Sequence, residues 1–267
     1  MRRVVAATLT LLATTMALIV AAGAWLYWRQ ESLLFQPAVL PSHYAFELPG
    51  VEEMTIPVAG ATLSALHLKL PHPKGIVFYL HGNGGNLATW FVNSQFYREQ
   101  NFDLFMFDYR GYGKSSGKIE SEDQLRADVE TAWNTIAPRY AGLRKVIFGR
   151  SLGTGLAARL AVEVGPDLTV LVSPYWSMEE LSRVHYPIVP TSLLRYPLRT
   201  FQDIPKIPGN ILVLHGDRDA VIPIGQAERL AAVARRAELV RVFGAGHNDM
   251  QQFPEYTGAI ARCLGSL

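Results

Sequence analysis

Cysteine is almost absent from this chain: of 267 residues, only Cys263 carries a thiol. No intrachain disulfide can form, and a cysteine-based zinc site is excluded. Charge is scarce as well, with 18% ionic residues and a net charge of +2. The basic residues are scattered, which removes the electrostatic basis for a nucleic-acid partner. No H-E-x-x-H, EF-hand loop or P-loop occurs, so no metal or other cofactor is expected. There is no internal repeat, no low-complexity tract and no N-x-S/T sequon, so glycosylation gives no hint of a secretory lumen.

What the chain has in excess is apolar surface, at 49% hydrophobic residues. Much of it sits in one place. Val4 to Trp28 contains no charged residue. As a helix this run would be about 37 Å long, enough to cross a hydrocarbon core of about 30 Å. Trp25, Tyr27 and Trp28 stand at its far end as an aromatic belt would, with Arg29 closing it. Residues 1–29 are therefore expected to be a retained membrane anchor. Arg2 and Arg3 favour a cytoplasmic N-terminus, with the rest of the chain outside the cytoplasm. The rival reading is a cleaved signal peptide with Ala22-Gly23-Ala24 as its A-x-A site, which would leave a secreted or periplasmic protein. The run is longer than an ordinary signal core and continues past that site.

Residues 30–267 read as one α/β domain. A connector with Pro37, Pro41 and Pro49 leads to strand patterns at 53–58, 63–70 and 75–80, the last continuously apolar, as in a central parallel strand. Helix patterns at 87–98, 121–136, 153–164, 223–236 and 254–264 alternate with strand patterns at 102–107, 146–148, 168–172, 211–214 and 239–243. That alternation predicts a mostly parallel central sheet with helices on both faces. One interval breaks it: residues 174–209 form a proline-punctuated, aromatic insert after a strand's carboxyl end, where open α/β sheets bind ligands. The insert is expected to act as a short lid, with Tyr175, Trp176, Tyr186 and Leu193 facing substrate.

The sequence converges on Val146-Ile-Phe-Gly-Arg-Ser-Leu-Gly-Thr-Gly155. An apolar strand, G-x-S-x-G and an immediate helix make a nucleophile elbow, in which Ser151 would be the nucleophile. A Cβ at Gly149 or Gly153 would crowd the neighbouring strand and helix. A serine nucleophile needs a base and an acid that orients it. His247, in the glycine-flanked loop Gly244-Ala-Gly-His-Asn-Asp249 after the last strand, has the base's position. In His215-Gly-Asp-Arg-Asp219, Asp219 is the expected acid and Asp217 is assigned to turn geometry. Backbone N–H groups of Leu152 and Asn83, the latter in His81-Gly-Asn-Gly-Gly-Asn86, would form the oxyanion hole. His81 is read as a structural imidazole that fixes this loop.

These blocks, together with Asp108-Tyr-Arg-Gly-Tyr-Gly113, resemble the α/β-hydrolase superfamily. Within it they resemble the small membrane-anchored hydrolases of the bud-emergence (Bem) type, grouped with prolyl-aminopeptidase-like serine hydrolases. The likeness runs from about Gln30 to the C-terminus, and departs at Gly84, where alanine is commoner, and at Pro174-Tyr-Trp-Ser177. It implies an α/β-hydrolase fold and a Ser151–His247–Asp219 triad acting through an acyl-enzyme. The apolar insert and adjacent anchor point to a small-molecule acyl ester, thioester or lipid-like substrate. An aminopeptidase or amidase on the same triad is the first alternative, with Glu179 or Glu180 binding the substrate amine. A non-catalytic binding protein that kept the fold is the second.

Overall fold

Five apolar runs too short for helices, each followed by a helical pattern or a glycine turn, have one way to bury both faces: side by side and parallel, beneath helices. In a computed structural model describing all 267 residues, the strands are β1 (Val51–Val58), β2 (Ala61–Leu68), β3 (Gly75–Leu80), β4 (Phe102–Phe107), β5 (Arg144–Arg150), β6 (Leu168–Val172), β7 (Asn210–Gly216) and β8 (Ala237–Val242). They form one sheet in the order β1-β2-β4-β3-β5-β6-β7-β8. The β1–β2 and β2–β4 pairs are antiparallel and every other pair is parallel. The switch in chain direction across the sheet lies at β3 and β5, whose carboxyl ends carry the Asn83 loop and the Ser151 turn.

The pleat sends alternate residues to opposite faces. Ile76, Phe78 and Leu80 join a core under helices α4 (Glu122–Ile136), α5 (Gly153–Val164) and α8 (Gly225–Val233). Val77 and Tyr79 join a second core under α3 (Ser94–Gln100) and α9 (Pro254–Gly265). Ser121 caps α4 by accepting from the Gln124 amide, and Gly165 ends α5 in the left-handed region at φ 56°.

Two expected helices are shorter than their patterns. The 87–98 stretch is interrupted, because α2 (Leu87–Trp90) is one turn held by an Asn86–Thr89 capping box. Phe91 then turns into the second core before α3 begins at Ser94. The 223–236 stretch is helical only over α8, where Ala234 leaves in extended conformation toward β8. The insert contains no strand, only α6 (Met178–His185), α7 (Thr200–Asp203) and single 3-10 turns.

The N-terminal run is helix α1 (Arg2–Leu34), with an 18-residue window of mean hydropathy 2.2 that is entirely exposed. It is long and apolar enough to cross a membrane. The helix does not end at Arg29, where the sequence boundary falls. Gln30 is buried and pins the last turns to the insert: its Nε2 donates to the Leu193 carbonyl at 2.6 Å and its Oε1 accepts from the Arg195 amide at 2.8 Å. Glu31 pairs with Arg195 and accepts from the Tyr196 hydroxyl. Phe35, just beyond, is buried in the first core.

Candidate active site

Ser151 sits where β5 gives way to α5, at φ +50°, a left-handed conformation that L residues other than Gly, Asn and Asp seldom adopt. The strain holds because the turn is fixed on both sides. The Ser151 amide donates to the Val172 carbonyl at 2.8 Å, and its carbonyl accepts from the Thr154 amide at 2.9 Å and hydroxyl at 2.7 Å. The flanking glycines have no room for side chains. A Cβ on Gly149 would lie 2.6 Å from Ala157 Cβ and from the Gly153 carbonyl oxygen, and one on Gly153 would overlap the Leu80 carbonyl oxygen.

From this turn a chain of hydrogen bonds runs outward. Ser151 Oγ and His247 Nε2 are 3.0 Å apart, and His247 Nδ1 is 2.7 Å from Asp219 Oδ2. Three loops separated by 68 and 28 residues in sequence thus meet at the carboxyl ends of β5, β7 and β8. Asp219 is buried, which by itself would raise its carboxyl pKa. Hydrogen bonds from His215, His247 and the Ile222 amide instead hold it well below the usual range. It is therefore an anion at any physiological pH, and its other oxygen accepts from the Val221 and Ile222 amides at 2.9 and 2.8 Å. Asp217 accepts from the Gly244 amide at 2.7 Å and shapes the turn before His247.

The Asn83 and Leu152 amides, both at the cavity beside Ser151, donate to no protein acceptor. Orphan N–H groups beside a strained serine are what an oxyanion would need. The Asn83 side chain fixes its own loop. Its Oδ1 accepts from the Gln36 amide, the Gly84 amide and the Tyr112 hydroxyl at 3.0, 2.9 and 2.8 Å, and its Nδ2 donates to the Leu34 carbonyl. The connector after α1 adds further bonds, from the Ala38 amide to Gly85 and from the Leu40 amide to Gly113. His81 is fully buried, with Nδ1 2.7 Å from the Gly82 carbonyl and its pKa lowered to about 4 by burial. It is neutral near pH 7 and 3.5 Å from Asp108, far from the role of a base at Ser151.

A cavity of about 610 Å³ opens over Ser151 and Leu152. Tyr175, Tyr186 and Leu193 line it, together with Met178, Leu181, Val189 and Leu194 of the insert. Tyr175 is wholly buried and its hydroxyl donates to the Leu152 carbonyl at 3.0 Å, so it also braces the elbow. Trp176 corrects the expectation. It turns away from the cavity, stacks on Phe201 at 5.0 Å between ring centroids, and lies under the Arg229 guanidinium at 4.1 Å. Its partner Phe201 lies on α7 and Arg229 on α8, so the β6 exit commits neighbouring aromatic residues to opposite sides. Glu179 is held by Arg199, and Glu180 by Arg183 and Arg229, so neither carboxylate stands free at the cavity.

One wall was not foreseen. Trp25, Leu26, Gln30, Leu33 and Leu34 of α1 line the same cavity. No local pattern signals it, because it depends on contacts across more than 160 residues, such as Gln30 with Leu193. His215, 3.3 Å from Asp219 and wholly buried, is a further member of the site, and its place at the strand end beside the two aspartates is the cue the sequence offers for it.

Comparison with known proteins bears on the family and the fold. Residues 71–203 match the family described as serine aminopeptidase, S33. An uncharacterized protein of Mycobacterium tuberculosis is 32% identical over 245 residues, 86% of this chain and 85% of its own length. Alpha/beta hydrolase domain-containing protein 17B of Homo sapiens is 34% identical over 193 residues, 70% of this chain and 65% of that protein. Among solved structures, an esterase of Pyrococcus furiosus is similar with a TM-score of 0.69 at 19% identity, covering 87% of this chain and 97% of its own. A membrane phospholipase A is similar with a TM-score of 0.63 at 18% identity, over 99% of this chain and 98% of its own. At those identities the structural likeness is one of fold.

Proposed function

This chain belongs to the α/β-hydrolase family, and from that premise we propose that it cleaves a carboxylic ester or thioester by nucleophilic catalysis at Ser151. The observation that carries the proposal is the hydrogen-bonded series Ser151 Oγ, His247 Nε2, His247 Nδ1 and Asp219 Oδ2, at 3.0 and 2.7 Å. As Ser151 Oγ attacks the carbonyl carbon, its proton passes to His247 Nε2. The carbonyl oxygen gains the electron pair and accepts from the Asn83 and Leu152 amides. Collapse of the adduct breaks the bond to the leaving oxygen or sulfur, which takes the proton from His247. Water then repeats the sequence on the acyl-enzyme. Anionic Asp219 holds the imidazole in the tautomer with its proton on Nδ1 and stabilises the imidazolium.

The substrate we propose is acyl or lipid-like. The cavity walls beyond Ser151 are predominantly apolar, and one of them is the end of a helix long enough to span a bilayer. With α1 as a retained single-pass anchor, its cytoplasmic end marked by Arg2 and Arg3, the cavity lies at the outer membrane surface. Trp25 then belongs both to the interfacial belt and to the cavity wall. The same fold is found in a solved membrane phospholipase A and in the Pyrococcus esterase, so it is compatible with lipid and ester substrates. The aminopeptidase reading has the family description in its favour. Against it, the carboxylates suited to a substrate amine are already ion-paired.

A fluorophosphonate probe should label the wild-type protein and not Ser151→Ala. Labelling of that variant at the wild-type level refutes the nucleophile. On p-nitrophenyl esters, kcat/KM should rise with acyl length over the first several methylenes. A flat or falling series refutes the apolar acyl site.

A further inference from the structure

On the far side of the Asn83–Gly85 loop from Ser151 lies a second cavity, of about 520 Å³, between β3, β4, α3 and α9. It shares only Asn83 with the first. Its one ionic lining residue is Arg150, and no Asp or Glu faces it. By contrast, Arg110, Arg126, Arg195 and Arg199 are each matched to a carboxylate. Arg150 has only neutral partners. Its Nη2 donates to the His247 carbonyl and to Gln251 Oε1, each at 3.2 Å, and the guanidinium lies 5.4 Å from the Trp90 ring. The guanidinium also lies beside the Tyr79 hydroxyl, and no carboxylate pairs with it.

Three tyrosines turn the same way. The buried Tyr109, Tyr112, Tyr140, Tyr175 and Tyr196 all donate their hydroxyl protons to protein oxygens. The hydroxyls of Tyr79, Tyr97 and Tyr256 donate to none, although each residue is at most 7% exposed. All three line this cavity, Tyr79 beside Arg150, and they are close enough to act on one another's ionisation. Burial keeps their pKa values above the ordinary value, so they remain donors. Hydroxyls that donate to no protein oxygen and open onto a cavity are free to donate to a group that enters it. Here a guanidinium and three phenols converge without an acidic group, and Phe96, Met106 and Ile260 supply an apolar floor.

We propose that this cavity is a second ligand site, taking a small molecule with an oxyanion head on an apolar body, and that its occupancy reaches the proposed base through Arg150. The head, a carboxylate or a phosphate, pairs with the free edge of the guanidinium and accepts from the phenols. The apolar body lies against the floor. Because Nη2 of the same guanidinium holds the His247 carbonyl, a ligand that shifts Arg150 shifts the loop that carries the imidazole. Binding itself does not depend on the proposed catalytic function, whereas the kinetic consequence does.

Calorimetric titration of the full chain in neutral detergent, with 3-phenylpropionate and with phenyl phosphate, tests the site. Acetate and inorganic phosphate serve as head-only controls. At least one aryl ligand should bind one to one and more tightly than its control, and the better of the two identifies the head. Arg150→Met should weaken binding about tenfold or more, the loss expected for a charge-assisted contact. Tyr256→Phe and Tyr97→Phe remove hydroxyls with no protein partner, so they should fold normally and weaken binding several-fold. Val189→Trp, which fills the other cavity, should leave the affinity unchanged. The ligand should alter kcat for ester hydrolysis at constant KM. Absence of saturable binding overturns the proposal, as does an affinity indifferent to the Tyr→Phe changes or abolished by Val189→Trp. Purely competitive kinetics would overturn the link to His247 alone.

Discussion

Asp108→Asn should make a pH-insensitive part of the structure sensitive to acid. Asp108 and His81 are buried together beneath the loop that presents Asn83, 3.5 Å apart. Burial raises the Asp108 pKa to about 7 and lowers that of His81 to about 4. Between about pH 4 and 6.5 the folded pair therefore holds one proton, on the carboxyl. The unfolded pair also holds one, on the imidazole, given ordinary values near 3.9 and 6.5. Equal proton counts mean no slope of stability with pH. The asparagine variant removes one side of that balance. His81 is then neutral when folded and protonated when unfolded, so stability is complete above about pH 6.5 and falls as the pH drops toward 4. At about 1.4 kcal/mol per unit, the loss reaches about 3 kcal/mol. Asparagine can still accept from the Leu87 amide, which Asp108 Oδ2 meets at 3.2 Å, so the loop keeps its anchor. His81→Gln should show the opposite slope, losing stability as pH rises from about 4 to 7. Urea unfolding of the full chain in detergent at pH 4.5, 5.5 and 6.5 reads both. If Asp108→Asn unfolds with the wild-type pH profile, the assignment of a neutral, buried His81 is wrong.

Asp219→Asn should lower kcat by about 10⁴-fold, because the amide disfavours the tautomer that a base needs; steady-state ester hydrolysis measures it. Gly153→Ala should destabilise the protein by several kcal/mol, since its Cβ would overlap the Leu80 carbonyl oxygen, which is backbone and cannot move aside cheaply. A thermal unfolding midpoint within 2–4 °C of wild type, the shift that about 1 kcal/mol would give a chain of this size, would contradict that.

The parts of the site that could be read from the sequence are those whose causes are local. A strand that stops at Gly149 and a helix that starts at Gly153 leave Ser151 on a sharp turn whatever surrounds them. Likewise a parallel sheet delivers every loop after a strand to one rim, so Asp219 and His247 had to arrive near each other. The second carboxylate, Asp217, was separable from Asp219 because a residue so close to the strand end is taken up by the turn. The sequence does not give the direction of Trp176, because an aromatic residue in an insert looks the same whether it faces a cavity or packs beneath one. Its orientation depends on Phe201 and Arg229, residues 25 and 53 positions away.

The sequence by itself determined the class of sheet, the strained serine and the order of its partners, because glycine sterics and strand periodicity act within a few residues. Tertiary structure alone decided that the last turns of α1 wall the cavity, that the 87–98 helix breaks at Phe91, and that Arg150 faces a pocket without a counter-ion. Those outcomes turn on how side chains distant in sequence compete for the same buried volume and the same hydrogen-bond acceptors, and no one-dimensional pattern carries that competition.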